Sequence, residues 1–126
     1  GLSSRFDRTF QFPDFQAHEL NDIALYFLKE RGYYISSKAA TALNEFINDL
    51  HLKKDKFFGN ARVVRNLMLE LIKSQNYRLS SMREDKISNH IMMSIKLEDV
   101  EKMINQNRAL SLNREVSIGF RQKSGG

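Results

Sequence analysis

There is no cysteine in the 126 residues, which excludes disulfides and thiolate zinc sites and leaves packing alone to hold the fold. No apolar run approaches the ~18 residues that cross a bilayer, and the first residues lack the basic-then-apolar layout of a secretion signal. The one proline, Pro13, stands with Asp14 at the end of a short strand-like run from Arg8 to Phe12. Motifs that carry chemistry are also missing. There is no GxxxxGK-S/T phosphate loop and no apolar strand ending in paired acids that would hold magnesium. His18, His51 and His90 are scattered, with no HExxH spacing, and read as packed or surface residues rather than ligands. No GxSxG turn presents a serine. Glu84-Asp85 and Glu98-Asp99 are adjacent pairs, and adjacent residues on a helix diverge by about 100°, so they do not converge on one substrate. Turnover by these residues alone is not expected.

What is present suits one domain of ordinary size. The formal charge is +5, unevenly placed: residues 50–83 hold eight Lys or Arg against two acids. A basic segment of that kind points to an anionic partner: a nucleotide phosphate, a nucleic acid or an acidic protein surface. The absence of a membrane span and of cysteine is compatible with a cytoplasmic chain, which is the expectation here.

Three amphipathic helices stand out. Leu20, Ile23, Ala24, Phe27 and Leu28 fall at i, i+3, i+4, i+7 and i+8 within residues 16–31, one face of a helix, and Gly32 ends it. Tyr33-Tyr34-Ile35 reads as an extended connector or a very short strand. Ser36 or Ser37 then caps a second helix whose inner face carries Ala39, Ala40, Leu43, Phe46, Ile47 and Leu50. The longest stretch is Phe57 to Leu79. Gly59-Asn60 forms a turn and cap, and Val63, Val64, Leu67, Met68, Leu71, Ile72 and Leu79 recur at helical spacing. Its first turn holds Arg62 and Arg65, neighbours at i and i+3 flanking Asn66. The N–H groups of a helix start already carry partial positive charge and disfavour cations. Two arginines there are either solvated surface residues or the mark of an anion.

Between these helices, HLKKDKFF (residues 51–58) is a basic loop whose Phe57 and Phe58 read as a hydrophobic staple onto the core. The other reading is phosphate neutralisation with base stacking. Residues 80–89 are polar, with a turn of helix expected around Arg83 to Ile87. His90 to Met93 and Ile95 form an apolar run suited to a short strand or a core plug. Leu97, Val100, Met103 and Ile104 mark a fourth helix, acidic in its first turn at Glu98, Asp99 and Glu101. Lys96 stands where a capping Ser or Thr is expected. Beyond Asn105 the period fades, and residues 107–126 read as a flexible tail.

Gly59-Asn60-Ala61-Arg62 followed by Val64-Arg65-Asn66 resembles the second-sensor motif in the helical lid of AAA+ ATPases, in the GNAR-x-VRN form of the CbbX and stage V sporulation protein K group. Gly1-Leu2-Ser3-Ser4-Arg5-Phe6 and Phe12-Pro13-Asp14-Phe15 resemble the end of that group's ATPase core: the arginine-finger box, the last strand and the hinge. The likeness covers residues 1–79.

The resemblance implies a mainly α fold, a four-helix lid-type bundle with a short N-terminal strand stub and room for a minor strand pair. It divides the chain into the end of an ATPase core (1–15), the helical lid (16–106) and the tail (107–126). It implies that Arg62 reaches the phosphates of ATP held by its own subunit, with Gly59, Asn60 and Arg65 contributing to that binding site. Arg5, with Arg8 as a second candidate, acts as the finger on ATP in a neighbouring subunit of a hexameric ring. Magnesium and most nucleotide contacts would belong to a core domain outside this chain, so no cofactor is expected on these residues alone. The implied partners are the chain's own N-terminal ATPase core, the adjacent subunits and an unidentified protein substrate remodelled in chaperone-like fashion. Two rival readings remain. One is a basic nucleic-acid-binding module using Lys53, Lys54, Lys56, Arg62, Arg65 and Lys73; the other is an interaction bundle docking through Phe6, Phe10 and Phe12.

Overall fold

A computed structural model of the chain describes residues 15–53 and 61–110. Helix α1, Ala17–Glu30, starts at Gln16, whose backbone N–H donates to Glu19 Oε1 at 2.9 Å. It ends at Gly32, the residue with φ of 82°. There Gly32 N donates to Lys29 O at 2.9 Å and Tyr33 N to Leu28 O at 2.9 Å. This is the paired closure that a left-handed residue allows, and it satisfies two of the helix's last carbonyls. The chain then runs straight into strand β1, Tyr34–Ile35.

Of the two candidate serines, Ser36 caps helix α2, Ser37–Leu52: its Oγ accepts from Ala39 N at 3.1 Å. Helix α3 is Ala61–Ser80. A 3-10 turn, Glu84–Lys86, falls inside the expected turn of helix. Of the apolar run His90 to Met93 and Ile95, Ile95 alone is both strand and buried core. Asn89–Met92 is a single helical turn, α4, with Ser88 Oγ accepting from Ile91 N at 3.2 Å, and only Ser94–Ile95 is extended, as strand β2. Helix α5 covers residues 97–110, so helix continues four residues into the stretch expected to be tail. Its last two turns expose most of their side chains, and a helical segment that buries little leaves no apolar period to read.

The fold is mainly α, with five helices among the described residues and a small strand pair. β1 and β2 run parallel, Tyr34 opposite Ser94 and Ile35 opposite Ile95. They are joined by Tyr34 N to Met93 O at 2.7 Å and Ser36 N to Ile95 O at 3.1 Å. Three helices, α2, α3 and α4, intervene between the strands, since a parallel pair needs a crossover. Around this pair one core forms from Leu20, Ala24, Phe27 and Leu28 of α1, Ala39, Leu43, Phe46 and Ile47 of α2, Val64, Leu67, Met68 and Leu71 of α3, Ile95, and Val100 and Met103 of α5. The expected strand stub at residues 8–12 and the staple at Phe57 and Phe58 lie outside the described residues.

Candidate functional site

The first turn of α3 is oriented by the residues behind it. Val64, Leu67, Met68 and Leu71 are buried, and burial of that stripe sets the rotation of the helix about its axis. Arg62, Arg65 and Asn66 therefore fall on the opposite side, and all three are exposed. No acidic residue shares this turn, which sets two guanidinium groups beside a positive helix end. Each guanidinium is a planar fork able to hold two oxygens of a phosphate or carboxylate. Arg5, Arg8, Gly59 and Asn60, the other expected site residues, lie outside the described residues, as do Lys54 and Lys56.

Two of the basic residues of the rival nucleic-acid reading face acids of their own helices. Lys53 pairs with Asp49 at 3.1 Å and Lys73 lies 3.8 Å from Glu70, both pairs being well exposed. His51 closes the entry to the bundle, its Nε2 lying 3.1 Å from Phe15 O. His90 packs beside Tyr34, the two rings tilted by 40° with centroids 5.3 Å apart. Among the described residues no three His, Cys, Asp or Glu side chains come together as a metal-binding group.

The far end of α3 carries a feature that apolar periodicity does not disclose. Ser74 and Gln75 continue the buried stripe where apolar residues would be expected. Gln75 Nε2 donates to Met92 O at 2.6 Å and to Ser94 O at 3.1 Å. Arg78 donates from Nε to Asp99 Oδ1 at 2.7 Å, and from a terminal nitrogen to Asp99 Oδ2 at 3.1 Å and Ser94 O at 3.2 Å. Asp99 is 1% exposed, and its Oδ2 also accepts from Lys96 N at 2.9 Å. The lysine at the capping position is thus explained. The third residue of α5, not the cap side chain, satisfies the backbone N–H, which is one half of a capping box.

One carboxylate therefore starts α5 and pairs with α3, and two α3 side chains hold the outward carbonyl of β2. The hydrogen bond to Asp99 raises the Arg78 pKa above its ordinary value against the opposing effect of burial, with the charges of Asp99 and Glu98 adding. A base whose folded-state pKa is raised contributes its stability at every pH below the unfolded value and loses it only as pH climbs past the folded one. Arg78 is therefore cationic throughout the range in which the chain is handled. The signal for this cluster was the polar pair Gln75 and Arg78 on the buried face between Leu71 and Leu79.

A helical bundle with a parallel strand pair and an arginine-bearing turn at the head of its third helix is matched by a family. Residues 16–109 fit the model of the AAA lid domain. The chain belongs to that family. Stage V sporulation protein K of Bacillus subtilis is 32% identical over 101 residues, 79% of this chain and 31% of that protein. A CfxQ homolog of Trieres chinensis is 31% identical over 100 residues, covering 79% and 34%. CbbX of Cereibacter sphaeroides is 29% identical over 101 residues, covering 79% and 32%. The chain spans about a third of the length of each of these relatives. The AAA lid match begins one residue before α1 and ends one residue before the last described turn of α5 stops, so it takes in every described helix and both strands. No described helix is long and apolar enough to cross a membrane.

Proposed function

We propose that this AAA lid senses the nucleotide of its own ATPase subunit through Arg62 and couples that subunit to its neighbours in a ring. The observation that supports it is the exposed pair Arg62 and Arg65 on the acid-free first turn of α3, within a chain of the AAA lid family. A triphosphate in the cleft between core and lid is the anion this turn would meet. Arg62 takes the γ-phosphate as a charge-assisted fork, while Gly59, Asn60 and Arg65 shape the approach. When the phosphate is lost the contact is lost, and the lid rotates about the hinge at Pro13-Asp14, converting hydrolysis into movement.

The bundle is suited to moving as one body. Gln75, Arg78 and Asp99 tie α3 to β2 and α5, so a displacement at one end of α3 is passed to the rest of the lid. Arg5 reaches ATP in the adjacent subunit and stabilises charge during phosphoryl transfer. ATP and its magnesium are held mainly by the core, the ring is hexameric and cytoplasmic, and its work is remodelling a protein substrate. The 126 residues alone neither hydrolyse ATP nor hold it with useful affinity.

The test is turnover by the longer protein that contains this lid and a core. Mixing wild-type subunits with Arg5→Ala subunits should reduce turnover more steeply than in proportion to the variant fraction, because each variant silences its neighbour's site. A strictly proportional decline would remove the role in trans. Sequence-independent binding of the 126-residue chain to DNA or RNA, tight at moderate salt and lost at high salt, would favour the nucleic-acid module instead.

A further inference from the structure

We propose that the groove between α2 and α5 is a docking surface for a basic segment of another protein that carries a bulky apolar side chain. The groove has a volume of about 620 Å³. Each helix lines it with a full i, i+3, i+4, i+7 stripe: Ala42, Glu45, Phe46 and Asp49 on α2, and residues 101, 104, 105 and 108 on α5. Two turns of helix on either side make a trough about 10 Å long, the length of three extended residues or two helical turns of a ligand. Its floor is apolar, built by Phe46 with Ala42 and Ile104, the last two only half-buried and packed against the core. Half-buried apolar groups at the bottom of a trough still gain from being covered.

The walls have the opposite sign to the molecule. Glu45, Asp49 and Glu101 line the groove against the single cation Arg108, in a chain of formal charge +5. Asp49 is engaged by Lys53 at 3.1 Å. Glu45 and Glu101 are exposed and make no ion pair among the described residues. A cationic partner is repelled by the chain as a whole and attracted here, so complementarity of charge directs it to this seam. The apolar floor then supplies an anchor position of the kind that dominates binding energy. Neither α2 nor α5 carries Arg62 or Arg65, so this surface is independent of the nucleotide reading and stands or falls separately.

The experiment uses the 126-residue chain and two fluorescent twelve-residue peptides in which Leu and Phe alternate with Arg and Lys, or with Glu. Fluorescence anisotropy should show saturable binding of the basic peptide alone. The double variant Glu45→Gln/Glu101→Gln should weaken it about tenfold, the scale of two exposed ion pairs. Ala42→Phe, which fills the trough without altering charge, should also weaken it, and a thermal melt of each variant confirms that it folds. Equal binding of the acidic peptide, no binding of either, or an unchanged affinity in both variants would overturn the proposal. So would binding that appears only after removal of residues 111–126, because the chain's own end would then be the occupant.

Discussion

Replacing Asp99 with Ala should be among the most damaging single changes in the chain. The carboxylate is 1% exposed and accepts three hydrogen bonds, two from Arg78 and one from Lys96 N. Its loss leaves a guanidinium whose side chain is only 16% exposed without its counter-charge, and leaves the start of α5 uncapped. Breaking a buried ion pair from one side costs about 3–5 kcal/mol. Arg78 still reaches some water and keeps Ser94 O, which favours the lower end. The lost cap adds about 1 kcal/mol, for a total of about 3–4 kcal/mol. At about 4–8 °C per kcal/mol for a body of this size, the melting temperature falls by roughly 12–30 °C.

Urea and thermal unfolding followed by far-UV circular dichroism would measure it. The double variant Asp99→Leu/Arg78→Met, which removes both charges, should be more stable than Asp99→Ala, because no buried charge is left alone. A loss below about 1 kcal/mol for Asp99→Ala, or a double variant as unstable as the sum of its single changes, would refute the assignment of this pair as the tie between α3 and α5.

Three smaller changes test the local geometry by the same unfolding measurements. Gly32→Ala should cost about 1 kcal/mol through its φ of 82° alone, since the added Cβ would meet only Met93 Cε at an ordinary 3.5 Å; no loss would mean that the α1 terminus is not left-handed. Ser36→Ala removes the cap on α2 and should cost about 1 kcal/mol, with Ser37→Ala near neutral; the reverse order would move the cap. Gln75→Leu keeps the volume but withdraws both hydrogen bonds to the carbonyls of Met92 and Ser94, and should cost about 1–3 kcal/mol. A neutral result would show water serving those carbonyls instead.

Helices α1, α2 and the core-facing stripe of α3 were legible because burial on one side imprints a period on the sequence, and Gly32 and Ser36 punctuated them as their backbone chemistry requires. α4 was not legible, since a helix of four residues is too short to display a period. The pairing of β1 with β2 joins residues 60 apart, Tyr34 with Ser94, and local pattern carries no trace of so distant a partner. Glu98, Asp99 and Glu101 all look alike as dipole-friendly acids in a first turn. Only the fold separates Asp99, which turns inward to Arg78, from its exposed neighbours. Of the candidate site, Arg62 and Arg65 were singled out through the motif that contains them, and the fold adds only that both are exposed. The Gln75, Arg78 and Asp99 cluster was missed because its polar members interrupt the apolar stripe by which α3 was recognised.

The central claim is that Arg62 reports the γ-phosphate. Equilibrium binding of a slowly hydrolysed ATP analogue and of ADP to the longer protein, wild type against Arg62→Ala, tests it directly. Loss of a charge-assisted hydrogen bond worth about 1.5–3 kcal/mol predicts affinity for the ATP analogue falling by about 10- to 100-fold, with ADP affinity nearly unchanged. Equal losses for both nucleotides, or none for either, would contradict the claim.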